Sequence, residues 1–510
     1  MSLYKPIVMK FNQEVKKAKK TVNYEQGEAY EFLTPQSELY ARVGTCLVKE
    51  PKFYGDPDKE YERIKALIGA CALNEPEFIL QLGAYARNVL HLRSIPIVLL
   101  GKASLLKESK KFVREYTPSI IKRTDELAEV IAFIESEIGA IGDEKQQTML
   151  PHSLQKGLQT AFQSFNEYGF SKYDKASASV SMRDVIRLVH PKPEKEQEVL
   201  YKKIAKDELE SADTWEVLIS GKGSTKENWE TAVKKMPIMA LLRNLRNLLD
   251  KGVSAEVLNA VVEKLTNEKI IQNSKQFPFR FFSAYKAIED NVNRTTSKLL
   301  TALDTAMFIS IKNLPLLDGT TAVFGDNSGS MCSAISARSE VDYIDISSVL
   351  SAIASIISPD NVTGVFGQTF ARINFSQKES ILARTNKIKN KDVGHSTCAY
   401  LAFKYLIEHK IKVHRIFLFS DMQCYDDNGD NSVNEQWEEY KAKVNPATYL
   451  YTFDLTGYGS TQVPEHDPHV LTIAGWSESI LKYVPYFERN RDTVLQEIRA
   501  INPATYLNKE

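Results

Sequence analysis

Disulfide-forming capacity, membrane-spanning runs and net charge are all missing from this chain. It has five cysteines in 510 residues, Cys46, Cys71, Cys332, Cys398 and Cys424. Their number is odd, their spacing is scattered and no Cys-x-x-Cys occurs, which excludes a disulfide framework and a zinc ribbon. No apolar run is long enough to cross a bilayer, residues 95–100 being one of the longer ones, and Met1-Ser2-Leu3-Tyr4-Lys5 lacks an apolar signal core. A reduced, cytoplasmic protein with no membrane partner is the expectation.

The 65 basic residues balance 65 acidic ones. Residues 1–320 hold 47 basic and 42 acidic side chains and residues 321–510 hold 18 and 23, so the two parts carry +5 and −5. Any nucleic-acid surface is therefore a local patch. A P-loop is also missing: in Gly221-Lys222-Gly223-Ser224 the lysine is not followed by Ser or Thr and no glycine stands five residues before Gly221. The eight histidines form no His-Glu-x-x-His and no pair backed by cysteines, and His409 and His414 read as surface and strand residues.

The length implies two or three domains, and 43% hydrophobic with 25% charged residues indicates globular ones. From about residue 60 to 311 the apolar period is helical. Ile120, Leu127, Val130, Ile131, Ile134 and Ile138 recur at spacings of three, four and seven, and similar stretches follow at 198–211, 231–250 and 255–265. Roughly 250 residues of successive amphipathic helices with short breaks predict an α-solenoid of paired helices. Before them, Lys16-Lys17-Ala18-Lys19-Lys20 is a solvated face or flexible arm at least as readily as an RNA contact.

Near residue 317 the pattern changes to α/β alternation. Strands are expected at 321–324, 361–366, 413–419, 448–455 and 470–474, with helices at 344–357, after Thr397, and at 434–443. That alternation predicts a doubly wound, mainly parallel sheet whose ligand site lies at the strand carboxyl ends.

At such an end stands Phe324-Gly325-Asp326-Asn327-Ser328-Gly329-Ser330-Met331. A carboxylate and two hydroxyls at alternate positions can face one point, which suits a hard cation such as Mg²⁺. Gly394-His395-Ser396-Thr397 and Ser420-Asp421 offer further oxygens from other loops, so the candidate metal ligands are Asp326, Ser328, Ser330, Thr397 and Asp421. The blander alternative has Ser328 and Ser330 capping a helix and Asp421 opening a turn. This constellation resembles the metal-ion-dependent adhesion site of von Willebrand factor A domains. His395 replaces the usual second glycine, and Ser396 competes with Thr397 for the ligand role.

In the helical part, Lys172, Tyr173, Lys175, Arg183, Arg187, His190 and Lys192 combine charge with aromatic and polar groups. Residues 151–193 hold six basic and three acidic side chains. On a helix beginning near Ser181, Arg183, Arg187 and His190 share a face that can grip phosphates and stack on bases, or can simply be solvated beside Asp184. Arg243 and Arg246 share another face, open to RNA or to interhelical hydrogen bonding. The acidic loop 421–439 carries seven acidic residues and no basic one, and Asn-Pro-Ala-Thr-Tyr-Leu occurs at both 445–450 and 502–507.

Arg87-Asn88-Val89-Leu90-His91-Leu92-Arg93, the run from Met182 through His190 to Pro193, the run from Met239 to Asn247, and Pro278-Phe279-Arg280-Phe281 are similar to blocks of the TROVE, or Ro ribonucleoprotein autoantigen, family, in its bacterial form. The resemblance implies a mainly α fold, with residues 1–316 as a TROVE ring of HEAT-like repeats closed by a von Willebrand factor A-like domain over 317–510. It implies a non-enzymatic scaffold binding small non-coding Y-like RNA on its outer basic surface and single-stranded ends of misfolded RNA through a central hole. His190 and Lys172 are the positions it maps most directly, then Arg183, Arg187 and Lys175, although Ala176-Ser177-Ala178-Ser179 departs from a basic pattern. An exoribonuclease such as polynucleotide phosphorylase is the implied processing partner. The alternative is a Mg²⁺-dependent protein-adhesion scaffold acting through the A-like domain.

Overall fold

A computed structural model describes residues 18–45, 57–139, 150–173, 179–209, 214–290, 294–336, 339–376, 378–427, 429, 431–475, 481, 484–485, 488 and 494–507. A small antiparallel hairpin, β1 (Lys20–Val22) and β2 (Glu28–Tyr30), comes first. Helices α1 (Pro35–Thr45), α2 (Pro57–Asn74), α3 (Phe78–Asn88), α4 (Ser94–Leu105) and α5 (Lys110–Ile120) follow. Next are α6 (Thr124–Gly139), α7 (His152–Gln163), α8 (Glu167–Tyr173), α9 (Met182–Val189) and α10 (Glu198–Lys206). The array continues with α11 (Trp215–Lys222), α12 (Lys226–Lys235), α13 (Ile238–Asp250) and α14 (Ala255–Thr266), and ends with α15 (Glu268–Asn273), α16 (Pro278–Lys286) and α17 (Arg294–Ser310).

The apolar period read from the sequence is the packing face. Ile120, Leu127, Val130, Ile131 and Ile134 are wholly buried. They do not share one helix, however: α5 ends at Ile120 and α6 begins at Thr124. Glu126 draws that start together by accepting from the amides of Lys122 (2.8 Å) and Arg123 (3.1 Å). The stretch 231–250 is likewise divided, because Pro237 has no amide hydrogen and takes an extended conformation between α12 and α13. Each helix packs on its near neighbours in sequence, as a solenoid requires: α3 on α4 and α5, α5 on α7, α7 on α9, α14 on α17. An ion pair between Lys172 and Glu216 (3.1 Å) links α8 to α11.

The C-terminal unit contains β3 (Thr321–Asp326), α18 (Tyr343–Ile357), β4 (Asn361–Phe366), β5 (Phe370–Ile373), α19 (Ile381–Lys389) and α20 (Tyr400–Glu408). It continues with β6 (Arg415–Ser420), α21 (Val433–Lys443), β7 (Tyr449–Asp454), β8 (Val470–Ala474) and α22 (Val494–Ala500). The sheet runs β5-β4-β3-β6-β7-β8, parallel throughout except for β5, an antiparallel edge strand not read from the sequence. Alternate residues feed two cores. Val323, Val365, Phe417 and Tyr451 pack with α18 and α19, while Phe324, Phe366, Leu418 and Leu450 pack with α20 and α21. This period of two is what makes the unit doubly wound.

Both ends of the helical array meet this unit, which closes the ring. At the early end, Gln81 Nε2 donates to the carbonyls of Arg499 (2.9 Å) and Ile501 (3.1 Å), and Tyr116 Oη donates to Ile501 O (2.9 Å). The Ala474 amide donates to Tyr40 Oη at 3.2 Å, where Gly44 lets α1 approach β8 so closely that a Cβ would sit 2.9 Å from that of Ala474. At the late end, α16 packs on α18 and α17 on α19, and Arg246 pairs with Glu340. The two Asn-Pro-Ala-Thr-Tyr-Leu copies share a turn in which the asparagine Oδ1 accepts from the amide two residues on, Ala447 (3.3 Å) and Ala504 (2.9 Å).

Candidate nucleic-acid interface and metal site

Helix α9 begins in a reciprocal cap: Ser181 Oγ accepts from the Asp184 amide, and the Asp184 carboxylate accepts from the Ser181 amide (3.0 Å). Hydrogen bonds from Ser181 hold the Asp184 carboxyl below its ordinary range. Asp184 is thus a cap, and the rest of the outer side of α9 is left to cations. Arg183 and Arg187 are exposed, one turn apart, while Met182, Val185 and Val189 are buried beneath them.

His190 ends the helix in the left-handed region, with φ 51°, and its side chain is exposed rather than packed in the core. A non-glycine residue there needs outside support. It comes from three glutamines of α7 at intervals of four. Gln155 Nε2 donates to Leu188 O (2.9 Å), Gln159 Nε2 to Val189 O (2.8 Å) and His190 O (3.1 Å), and Gln163 Nε2 to Lys192 O (2.8 Å). The sequence reading missed this ladder, although its spacing was legible. Lys172 comes from α8, which packs like α9 on α6, but it is half-buried, paired with Glu216 and 5.8 Å from the Tyr168 ring centroid. Lys175 lies outside the described residues. Of the N-terminal basic cluster, Lys19 pairs with Glu31 (2.9 Å) and Lys20 with Glu28.

A second basic surface lies inside the closure. A cavity of about 880 Å³ is bounded by Thr45 and His91 from the early helices, Arg243 and Arg246 from α13, Lys275, Arg280 from α16, and Ser336 and Gly475 from the α/β unit. The cationic residues there are exposed. Arg246 also donates from Nε to Ala287 O (3.0 Å), the interhelical hydrogen bond that was one of its two sequence readings. Lys275 carried no signal of its own in the sequence. Arg87, by contrast, is architectural: it donates to the wholly buried Glu126 at 2.8 Å.

The candidate metal site sits between β3 and β6, where strand order changes direction and the carboxyl ends leave a crevice. The β3 strand runs past the expected Phe324 to Asp326, which is wholly buried. Asp326 Oδ1 accepts from the Ser328 amide (2.9 Å) and Oδ2 from Ser420 Oγ (2.6 Å). Ser328 Oγ and Ser330 Oγ stand 3.4 Å apart, and Ser330 bonds to Asp421, whose Oδ1 also accepts from the Gln423 amide (3.0 Å). The Thr397 loop is tied to this turn by the Gly329 amide donating to His395 O (2.9 Å). Thr397 is buried and Ser396 exposed, which favours the threonine as donor.

Burial pushes both carboxyls above their usual range; Asp421 is raised further by the charge of Asp326, while hydrogen bonds from Ser328 and Ser330 act the other way. Two buried carboxylates beside three hydroxyls form an all-oxygen donor set that fits a hard divalent cation. Among the described residues no group of three or more His, Cys, Asp or Glu side chains forms a metal cluster, so hydroxyls are essential to any such site.

The family model of the TROVE domain matches residues 35–208 and 205–307, and that of the Ro60 vWA domain matches residues 321–488. Telomerase protein component 1 of Rattus norvegicus and of Mus musculus are each 28% identical over 306 residues. The match covers 44% of this chain and 12% of each of those proteins, so the chain spans a small part of their length. The crystal structure of the Deinococcus radiodurans RO (RSR) protein has a TM-score of 0.63 at 16% identity, covering 90% of this chain and all of that one, a likeness of fold.

Proposed function

The chain belongs to the TROVE family, joining a TROVE domain to a Ro60 vWA domain, and on that premise we propose that it is a non-enzymatic, RNA-binding ribonucleoprotein scaffold. Its outer face grips a small structured RNA of the Y-like kind through Arg183, Arg187 and His190, with Lys172 and Lys175 contributing alongside. The 880 Å³ cavity edged by Arg243, Lys275 and Arg280 admits a single-stranded end of a misfolded or decaying RNA. An exoribonuclease then receives that RNA, and the reading places these events in the cytoplasm.

The observation that carries this reading is the pinned, exposed Arg183-Arg187-His190 face. A backbone held in the left-handed region by three side chains from another helix is costly to build for a merely solvated surface. Because phosphate contacts dominate such binding, affinity should fall steeply with salt. Titrating a labelled RNA hairpin and a single-stranded oligonucleotide at several salt concentrations tests it. Affinity that is level from low to high salt would refute this mechanism.

The buried carboxylate pair favours a second role for the vWA domain. Mg²⁺ held by Asp326, Ser328, Ser330, Thr397 and Asp421 would supply a Lewis-acidic point for an acidic group of a protein partner. Asp326→Ala should then abolish metal-dependent partner capture and leave RNA affinity unchanged.

A further inference from the structure

Arg246 spans the seam between the helical array and the α/β unit. It lines the cavity from α13, where its Nε donates to Ala287 O beyond the end of α16 (3.0 Å) and an outer nitrogen donates to the Glu340 carboxylate. The first bond fixes the plane of the guanidinium. The second gives one of its outer donors to an anion of the chain's own.

Glu340 belongs to a tight loop that shapes itself. Ala334 and Asp342 form a bridge at the base, the Ile335 amide donates to Val341 O (3.1 Å), the Ser339 amide to Ser336 O (3.0 Å) and the Val341 amide to Ser339 Oγ (3.0 Å). Among the described residues that line the cavity, Glu340 is the one acidic side chain, set against Arg243, Arg246, Lys275 and Arg280. The seam has other contacts to hold it: α16 packs on α18, α17 packs on α19, and the Leu382 amide donates to Asp304 Oδ1 (3.4 Å). The side chains of Arg246 and Glu340 are 46% and 49% exposed, and an ion pair so open to water is weak and readily exchanged. A carboxylate and a phosphodiester both offer a guanidinium two anionic oxygens, so one can take the place of the other.

We propose that Arg246 is a phosphate subsite of the cavity and that Glu340 masks it: an entering RNA strand seats a backbone phosphate on Arg246 by displacing the Glu340 carboxylate. The proposal deepens, and rests on, the assignment of this cavity to single-stranded RNA. A strand is suited to the exchange because its neighbouring phosphates also meet Arg243, three residues earlier on the same face of α13.

The test measures equilibrium binding of a labelled oligouridylate to the full chain at low salt, in wild type, Glu340→Gln, Arg246→Gln and the two combined. Glu340→Gln keeps the shape and removes the competing charge, so affinity should rise about threefold to fivefold. Loss of a merely structural contact would not raise it. Arg246→Gln should weaken binding, and in its background Glu340→Gln should bring no gain, since no subsite is left to unmask. No gain in Glu340→Gln alone, undiminished binding in Arg246→Gln, or an equal gain with and without Arg246 would overturn the proposal, the last by showing that Glu340 acts only as a general negative charge. Arg243→Gln with Arg280→Gln tests the cavity itself: if that variant binds the oligonucleotide as wild type does, the strand lies elsewhere, and the cavity reading falls together with the proposal.

Discussion

Gln159 donates from Nε2 to the main-chain oxygen of His190 at 3.1 Å, across 31 residues of sequence. With Gln155 and Gln163 on either side, it holds the one irregular turn on which the exposed cationic face ends. Gln159→Leu removes this donor yet leaves the charges in place. RNA affinity should drop several-fold while the steepness of its salt dependence stays the same, and thermal stability should fall by about 1 kcal/mol, the worth of an ordinary hydrogen bond. Equilibrium binding at several salt concentrations, with a melting curve, checks both.

Arg183→Ala with Arg187→Ala should behave in the opposite way. Each phosphate contact contributes roughly 0.7 to 0.9 to the slope of log affinity against log salt, so the double variant should flatten that slope by about 1 to 2. Both side chains are exposed, so the fold should hold. An unaltered slope would place the phosphate contacts elsewhere.

Mg²⁺ should stabilise the chain. A cation that binds only the folded state adds about 2.7 kcal/mol at one hundred times its dissociation constant, seen as a rise in melting temperature. Asp326→Ala should show no rise. The variant without metal should be at least as stable as wild type without metal, because burial raises both Asp326 and Asp421 and the charge of Asp326 raises Asp421 further.

Arg87→Ala should destabilise the chain by about 3 kcal/mol, since it leaves the buried carboxylate of Glu126 without its principal cation. Arg93, with Nε 3.9 Å away, offers little relief. Denaturant unfolding measures the loss, and RNA affinity of the folded fraction should be unaffected.

Glu38 joins α1 to α2. Burial acts to raise its pKa, but Arg63 and Arg42 outweigh it and hold the carboxyl below its ordinary range. A carboxyl depressed on folding adds stability above its unfolded value of about 4.3 and loses it as pH falls through the lower folded value. Wild type should therefore be more stable than Glu38→Gln at pH 7, with the two converging as the pH falls through the lower folded value. Melting temperatures across that range report the crossover.

The order of the domains, the switch from a helical to an alternating period and the Asp-x-Ser-x-Ser turn were legible because each is local. Apolar spacing dictates which face of α6 or β3 is buried, wherever the neighbours come from. The breaks at residues 121–123 and at Pro237 were harder, since apolar period carries across a short interruption. The antiparallel edge β5 was missed altogether, being four residues long with only Ile373 fully buried.

What the sequence by itself determined is the set of chemical groups: which residues can grip phosphate, which oxygens can hold a cation, and which stripes must be covered. Tertiary structure alone decided which of them meet. Lys172 is drawn to Glu216, Arg87 to Glu126, and Lys275 and Arg280 to one cavity, by helix packing that no local spacing encodes. Asn23 reaches the main-chain oxygen of Cys424, 401 residues away, because closing the ring brings the first hairpin onto the last domain, and contacts between distant segments exist only once the core between them has formed.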